Sequence, residues 1–434
     1  IEPGETWYVP TNGRLGMERV VQACKELLPS LRCYGHNIKY DMHVLRNHGI
    51  GIDPTGDTMI AAYLLEPSGK HGLDFLSLER YGVAKTPITD LIGKGKEERS
   101  MLDVEIEQVS TYCCEDVDYT MRLHRDLMPE LESKGLMPLY RDIEVPLIPV
   151  LCSMERLGIG VDTSRFASMS EMLTGQLTAL EEAIYADAGE SFNIKSPKQL
   201  GEVLFGRLGL KPKSKKQSTA AAVLESLKND HPIIEKVLEF RLLEKLRSTY
   251  VDALPHQIDE VTGRIHCQFI QTGTATGRLA SQSPNLQNIP IRSREGKAIR
   301  EAFVPEGHSP RFLSADYSQI ELRLLAHYSE DPVLIEAFTS GDDIHAATAA
   351  KVFGVPLDGV TKEMRARAKA VNFGIVYGQG AYGLASQLGI SNKEASDFIA
   401  SYFATYPKVG DFLESCKERA REVGYAETLA GRRR

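Results

Sequence analysis

The spacing of apolar and polar positions changes several times along the chain. Residues 1 to about 130 mix short β-rich runs, such as Thr6-Trp-Tyr-Val-Pro10, with helix-period stretches at 17–28 and 109–127, the second predicted to end near Pro129. That mixture predicts an α/β domain, with a change of domain around Lys134-Gly135. Residues 140–190 read as helix. Val161-Asp-Thr-Ser164 interrupts them and offers an N-cap for the next helix, and Ser196-Pro197 is a second helix start, with serine as cap and proline in the first turn. Residues 210–219 have no apolar periodicity and predict a mobile surface loop. Residues 220–255 return to helix with heptad-like spacing, so a helical arm with a basic tip is expected. Beyond 260, Arg264-Ile-His-Cys-Gln-Phe-Ile270 alternates like a strand. Arg311-Phe-Leu-Ser-Ala315 predicts a short buried strand, and 319–425 is mostly helical. There is no internal repeat and no low-complexity segment.

A chain of 434 residues predicts two to four domains, and 42% hydrophobic with 25% charged residues supports a sizeable core. No apolar run approaches the ~20 residues that span a bilayer, so no membrane segment is expected. Ile1-Glu-Pro-Gly is not a secretory signal and no initiator Met is present; with the stop at Arg434, a fragment cut at both ends is expected. Net charge is −8, yet Arg278, Arg292, Arg294, Lys297 and Arg300 face only Glu295 in their stretch. Lys211, Lys213, Lys215 and Lys216 form a second basic cluster. Local charge of this kind would confine a nucleic acid to particular faces. Seven cysteines without a CxxC pair argue against a disulfide framework or zinc site and for a reducing compartment.

Arg365-Ala-Arg-Ala-Lys369-Ala-Val-Asn-Phe373-Gly-Ile-Val-Tyr377-Gly378 puts two cations and then two aromatics at intervals of four. On a helix these share nearly one face, with charge for a polyphosphate at one end and flat apolar surface for a base at the other. Such cations are often only a solvated face, and the aromatics could be core. Arg367 in the same turn and the glycines from Gly374 to Gly383 favour an anionic partner. In Leu313-Ser-Ala-Asp316-Tyr-Ser-Gln-Ile-Glu321 an apolar strand ends at Asp316, where a carboxylate can hold a hard cation; Ser318 and Glu321 read equally well as a capping box. The stretch from Thr274 to Arg292 is dense in small residues and amides. It is either a long hairpin connection or a surface whose Asn, Gln and Arg reach minor-groove acceptors common to all base pairs.

Taken together these segments resemble a family A DNA polymerase of the bacterial polymerase I type. Asp316-Tyr-Ser-Gln-Ile-Glu321 resembles the family's motif A. Arg365-x3-Lys369-x3-Phe373-x3-Tyr377-Gly378 resembles its motif B. Thr274-Ala-Thr-Gly-Arg278-Leu and Pro284-Asn-Leu-Gln-Asn-Ile-Pro290 resemble its primer-template segments, and Gly341-Asp-Asp-Ile-His345 its triphosphate-contacting histidine. Near the start, Gly35-His-Asn37-Ile-Lys-Tyr-Asp41 and Tyr112-Cys-Cys-Glu-Asp116 resemble the second and third motifs of a proofreading exonuclease. The first exonuclease motif would lie before Ile1 and polymerase motif C after Arg434, so each active site would lack some metal ligands.

The resemblance implies a multidomain α/β chain, with a ribonuclease H-like 3′-5′ exonuclease domain (1–135) followed by a right-hand polymerase domain (136–434). The thumb would be about 190–260, the palm about 260–332 and the fingers about 333–425. It implies template-directed addition of dNTPs to a primer 3′-OH with two Mg²⁺ ions per active site, Mn²⁺ being an alternative. Asp316 would bind metal, with Arg365 and Lys369 completing the catalytic set. His345, Arg365, Lys369, Phe373, Tyr377 and Glu321 would bind the nucleotide, Glu321 by blocking a ribose 2′-OH. Phe373, where some relatives have Tyr, implies poor use of dideoxynucleotides. DNA would meet Arg278, Asn285, Gln287, Asn288, Arg292, Gln319, Lys213, Lys215 and Lys216. The exonuclease would use Asn37, Asp41, Tyr112 and Asp116, with Asp41 and Asp116 on metal and Tyr112 orienting a water. The partners would be primer-template DNA and dNTPs, for a monomer in the cytoplasm near the nucleoid. The alternatives are a non-catalytic DNA-binding fragment or scaffold, and a nuclease using the hand as a clamp. Glu321 disfavours a template-dependent RNA polymerase.

Overall fold

A computed structural model describes residues 2–211, 218–291, 293–305, 311–341 and 343–434. Backbone packing divides the chain into two compact units: Ile1–Phe312 with Ala430–Arg432, and Leu313–Leu429 with Arg433–Arg434.

The first unit holds two large cores. One is built on two short parallel strands, β1 (Cys33–Gly35) and β2 (Pro54–Asp57), with Tyr34 opposite Gly56 and Gly35 opposite Asp57. Asp57 ends β2 and caps the next helix, Thr58–Leu65, by accepting from Met59 N at 2.8 Å and Ile60 N at 3.2 Å. That helix is nearly all apolar and is buried from Ile60 to Leu64. Against it lies the helix Ile106–Ser133, with Leu123, Leu127 and Leu131 on one fully buried stripe. The expected stop near Pro129 does not occur. Proline inside a helix costs about 3 kcal/mol, but Leu127 and Leu131 flank it, and each buried leucine contributes about 1.5–3 kcal/mol. The same core takes in Leu136, Tyr140, Ile148 and Cys152. The expected strand at 6–10 is absent: the run pairs with nothing among the described residues, and Trp7 is 70% exposed.

In the second core the helix Thr163–Ala188 packs on Pro232–Leu246, bringing Phe166, Leu173 and Leu177 together with Ile233, Val237 and Phe240. Both predicted helix starts are present. Asp162 accepts from Ser164 N (3.0 Å) and Arg165 N (3.3 Å), and Ser196 accepts from Gln199 N with Pro197 in the first turn. The remaining strands are β3 (Gly160–Val161), β4 (Gln268–Ile270), β5 (Ala280–Gln282) and β6 (Phe303–Val304); β3 pairs with β6 and β4 with β5, all antiparallel. Of the alternating run at 264–270, only its last three residues form a strand, while Ile265 makes single bridges to Ile159 and Ile258.

The second unit is helical. Leu322, Leu334, Ile344, Val371, Tyr402 and Tyr406 meet in its core. The buried strand expected at 311–315 is not formed. The segment is irregular and exposed, with Leu313 95% accessible, and it has no ladder partner among the described residues to satisfy its backbone groups. The capping box expected from Ser318 and Glu321 is absent too. The helix Ile320–Ser329 begins one residue later, after Gln319 in the left-handed region (φ 54°), with no side-chain cap; Arg323 Nε instead donates to the Ser318 carbonyl at 2.9 Å. A capping hydroxyl must sit on the N-cap residue itself to reach the third amide. Ser391 and Glu394 do meet that condition and form the box.

Candidate nucleotide, nucleic-acid and exonuclease sites

The helix Lys362–Val376 starts at Thr361, whose hydroxyl accepts from Met364 N at 3.2 Å. Ala368, Val371, Asn372 and Ile375 face the core. Arg365 and Lys369 are exposed, Phe373 is half-buried, and Tyr377 forms the C-terminal cap, 62% exposed. The four predicted positions therefore do run along one accessible side of a single helix.

The expectation that three clustered cations need an outside anion requires correction. Arg365 Nε donates to Asp343 Oδ2 at 2.8 Å, with Nη2 2.7 Å from the same oxygen in the ion pair, and Arg367 pairs with Glu363 at 2.6 Å one turn away. Two cations thus have carboxylates within the chain, while Lys369 has no ion-pair partner among the described residues. Asp343 is also the N-cap of the helix Ile344–Phe353, accepting from His345 N (2.9 Å) and Ala346 N (3.1 Å). Partial burial works to raise its carboxyl, but the Arg365 bond and the two amides outweigh it and hold it below the usual carboxylate range.

His345 is 3% exposed, with its ring centroid 5.7 Å from that of Phe373. Burial lowers its pKa, with Arg365 and Lys369 adding to the effect against the Asp343 charge, so the imidazole is neutral near pH 7. At the surface of the same unit, Tyr377 Oη donates to Glu321 Oε1 at 3.1 Å. Asp316 lies exposed in the irregular segment, its carboxylate without a hydrogen bond among the described residues; Gln319 follows it at the helix start.

In the first unit Arg278, Asn285, Gln287 and Asn288 are all exposed, in the β4–β5 hairpin and the turn after it. Their backbone is tied down. Thr274 Oγ1 donates to the Arg278 carbonyl (2.8 Å), Gln287 N to Ser281 Oγ (3.3 Å) and Tyr250 Oη to the Asn288 carbonyl (2.7 Å). Ser281 Oγ donates to the Asn285 side-chain oxygen at 3.0 Å, a bond that does not use that residue's amide hydrogens. Gly277 (φ +81°) is required, because the Arg432 side chain occupies the space a Cβ would need. The predicted contacts Arg292, Lys213, Lys215 and Lys216 lie outside the described residues.

A cluster of acids surrounds the first-unit motifs. Asn37 is left-handed (φ 62°) and opens the helix Ile38–Asn47, which carries Asp41 on its first turn. Asp57, 2% exposed, accepts four backbone amides: Asn37 N, Ile38 N, Met59 N and Ile60 N. Asp41 keeps solvent-exposed surface, yet protein crowding its carboxyl, then the Asp57 and Asp116 charges, push it up to about 6. Tyr112 is raised to about 12, first by burial and then by the charge of Asp116. Sequence reading missed Asp57 and Lys85. An Asp before an apolar run is a cap signature that could have marked the first; a lone lysine in a loop carries no such mark. The Lys85 ammonium, 1% exposed, pairs with Asp116, lies 3.5 Å from Asp74 and sits 5.5 Å from the Tyr112 ring centre. Among the described residues no group of three or more His, Cys, Asp or Glu could hold a metal ion.

Residues 163–434 match the family model described as DNA polymerase family A, and residues 1–132 the model described as 3′-5′ exonuclease. DNA polymerase I of Rhizobium leguminosarum is 46% identical over 404 residues, covering 92% of this chain and 40% of that protein. That of Pseudomonas aeruginosa is 44% identical over 453 residues, covering 100% and 49%. The chain thus spans less than half the length of these relatives. A solved structure, the POL domain of Pol1 from M. smegmatis in complex with DNA primer-template and dNTP, superposes with a TM-score of 0.83 at 36% identity, over 97% of this chain and 71% of that one.

Proposed function

The chain belongs to DNA polymerase family A, with a 3′-5′ exonuclease domain ahead of the polymerase region, and from that premise we propose that it takes part in template-directed DNA synthesis. A dNTP would be added to a primer 3′-OH, and a proofreading exonuclease would act in the same protein. The proposed division is 1–135 for the exonuclease and 136–434 for the polymerase, with thumb 190–260, palm 260–332 and fingers 333–425. The observation that carries the reading is the single helix bearing Arg365, Lys369, Phe373 and Tyr377 on one accessible side.

Lys369 and Arg365 would bind the triphosphate, Arg365 by exchanging Asp343 for a phosphate oxygen, and such charge-assisted bonds are among the stronger ones. His345 would donate a further hydrogen bond. Phe373 would stack near the base, and Glu321, held by Tyr377, would face the sugar and exclude a 2′-OH. Arg278, Asn285, Gln287 and Asn288 would follow the primer-template duplex without reading sequence. Each assigned acid fits a hard divalent cation as a single oxygen donor: Asp316 is exposed and unbonded, and Asp41 and Asp116 crowd one another electrostatically. When bound, Mg²⁺ would acidify the attacking hydroxyl or water and offset phosphate charge. Tyr112 would orient the hydrolytic water at the exonuclease site.

No described helix is long and apolar enough to cross a membrane. A cytoplasmic, nucleoid-associated monomer is proposed from the kinship with the bacterial polymerases I.

Primer extension by the full polypeptide with deoxy- or ribonucleotides tests the reading. Extension with deoxynucleotides alone is expected. Primer-template binding without extension would replace it with a DNA-binding scaffold.

A further inference from the structure

A buried hydrogen-bond network beneath the helix Lys362–Val376 bears on where the proton of His345 resides. Its members are Thr348, Asn372 and Tyr406, all 0% exposed, and His345 itself. Proton accounting is strict in such a place, because no water can make up a deficit.

The Thr348 hydroxyl has one hydrogen. It lies 2.8 Å from the carbonyl of Ile344, which can only accept, so the hydrogen is committed there. The Thr348 oxygen must then accept from its other neighbours. Tyr406 Oη approaches at 3.0 Å and donates. Asn372 Nδ2 approaches at 3.2 Å and donates one of its two hydrogens. Asn372 Oδ1 lies farther from the same Thr348 oxygen, at 3.4 Å, so the structure sets the amide nitrogen, the donor, at the shorter distance. With the Thr348 hydrogen on the Ile344 carbonyl, that arrangement suits the oxygen's need for donors. The second amide hydrogen of Asn372 points at His345 Nδ1, 3.0 Å away. A donor facing a ring nitrogen requires a lone pair on that nitrogen, so a neutral imidazole carries its hydrogen on Nε2.

We propose that Asn372 is a positioning residue that holds His345 in the Nε2–H tautomer, so that the buried imidazole offers a hydrogen-bond donor and not a lone pair to a triphosphate oxygen. The inference rests on the reading of His345 as a nucleotide ligand. Nε2 has no partner among the described residues, and the Phe373 ring lies tilted beside the imidazole, 5.7 Å away between centres. The opposite tautomer would aim a lone pair at an anion.

The test uses the full polypeptide labelled with ¹⁵N-histidine, with His345→Gln identifying the signals of His345. Wild type should show Nε2 protonated and Nδ1 bare at alkaline pH, where the ring is neutral. Asn372→Asp places an acceptor against Nδ1 and should invert the tautomer, with kcat/KM for dNTP falling about tenfold or more. A wild-type His345 protonated on Nδ1 overturns the inference, and so does a tautomer that Asn372→Asp leaves in place. The wild-type spectrum alone decides if that variant does not fold. Unchanged dNTP kinetics in His345→Gln would instead remove the nucleotide-ligand reading, whichever nitrogen holds the proton.

Discussion

Tyr377, at the end of one helix, donates its hydroxyl to Glu321 on another at 3.1 Å. The bond fixes a flexible carboxylate at the place assigned to sugar discrimination. An exposed hydrogen bond to a charged group is worth about 1–2 kcal/mol. Tyr377→Phe should therefore relax discrimination against ribonucleotides by roughly five- to tenfold, because Glu321 remains but is no longer held. Glu321→Ala should relax it by on the order of 10²-fold, since the obstruction itself is gone. Competitive incorporation of ribo- against deoxynucleotides measures both; equal effects from the two variants would contradict the division of roles.

Phe373 lies half-buried between the imidazole of His345 and the exposed side of its helix. Adding a ring hydroxyl there supplies a polar partner that a nucleotide without a 3′-OH lacks. Phe373→Tyr should raise dideoxy relative to deoxy incorporation roughly tenfold or more. Unchanged selectivity in chain-termination assays would refute the assignment.

What the sequence displayed best was periodic. The 365–377 face, the caps at Asp162 and Ser196 and the helical run after 319 all rest on local rules, which act within four residues. What it hid depended on distant partners. A strand needs a ladder, and neither 6–10 nor 311–315 finds one among the described residues. Pro129 looks like a stop until the leucine stripe that overrides it is seen. Asp343 serves Arg365 from 22 residues away and Lys85 serves Asp116 from 31, separations at which sequence spacing carries no signal.

Lys369 differs from its two neighbours in having no carboxylate partner among the described residues, so its charge is uncommitted at rest. Lys369→Ala should lower kcat/KM for dNTP about 10²-fold, the value of one charge-assisted phosphate contact. Lys369→Arg should recover part of that. Normal single-nucleotide kinetics in the alanine variant would exclude Lys369 from the triphosphate site.

His36 should make the first unit acid-labile. Burial, with the Lys85 charge adding to it, lowers its pKa from 6.5 to about 4 despite opposing help from the His71 backbone and Asp74. Between those values the unfolded chain binds more protons than the folded one. Stability is therefore full above pH 6.5 and falls as pH drops toward 4, by roughly 3 kcal/mol at most. Asp41 acts with opposite sign: its carboxyl, raised to about 6, favours the fold at low pH and loses that effect as pH rises through 6. Urea midpoints across pH 4–7 should decline less on acidification in His36→Asn, where the side-chain amide can keep the 3.0 Å partner Thr58. In Asp41→Asn they should decline more. Parallel curves for wild type and both variants would disprove the assignment.

Lys85 gives the acidic cluster a resident positive charge. Its ammonium is 1% exposed and pairs with Asp116, whose side chain is 34% exposed. Asp116 in turn shares a neighbourhood with Asp41, since its charge helps to raise that residue's pKa. Removing the lysine leaves like charges facing one another. Breaking a fully buried pair costs about 3–5 kcal/mol, and the partial exposure of Asp116 discounts this to roughly 1–3 kcal/mol. A divalent cation bound by the same carboxylates would offset the lost charge, and binding to the folded state alone raises stability in proportion to ligand excess. Lys85→Met should therefore be destabilised in chelator and recover with Mg²⁺, whereas wild type should gain less from the ion because its ammonium already occupies Asp116. Urea titrations of both proteins in chelator and in Mg²⁺ read this directly. An equal Mg²⁺ gain in the two proteins would mean that the lysine and the metal do not act on the same carboxylate.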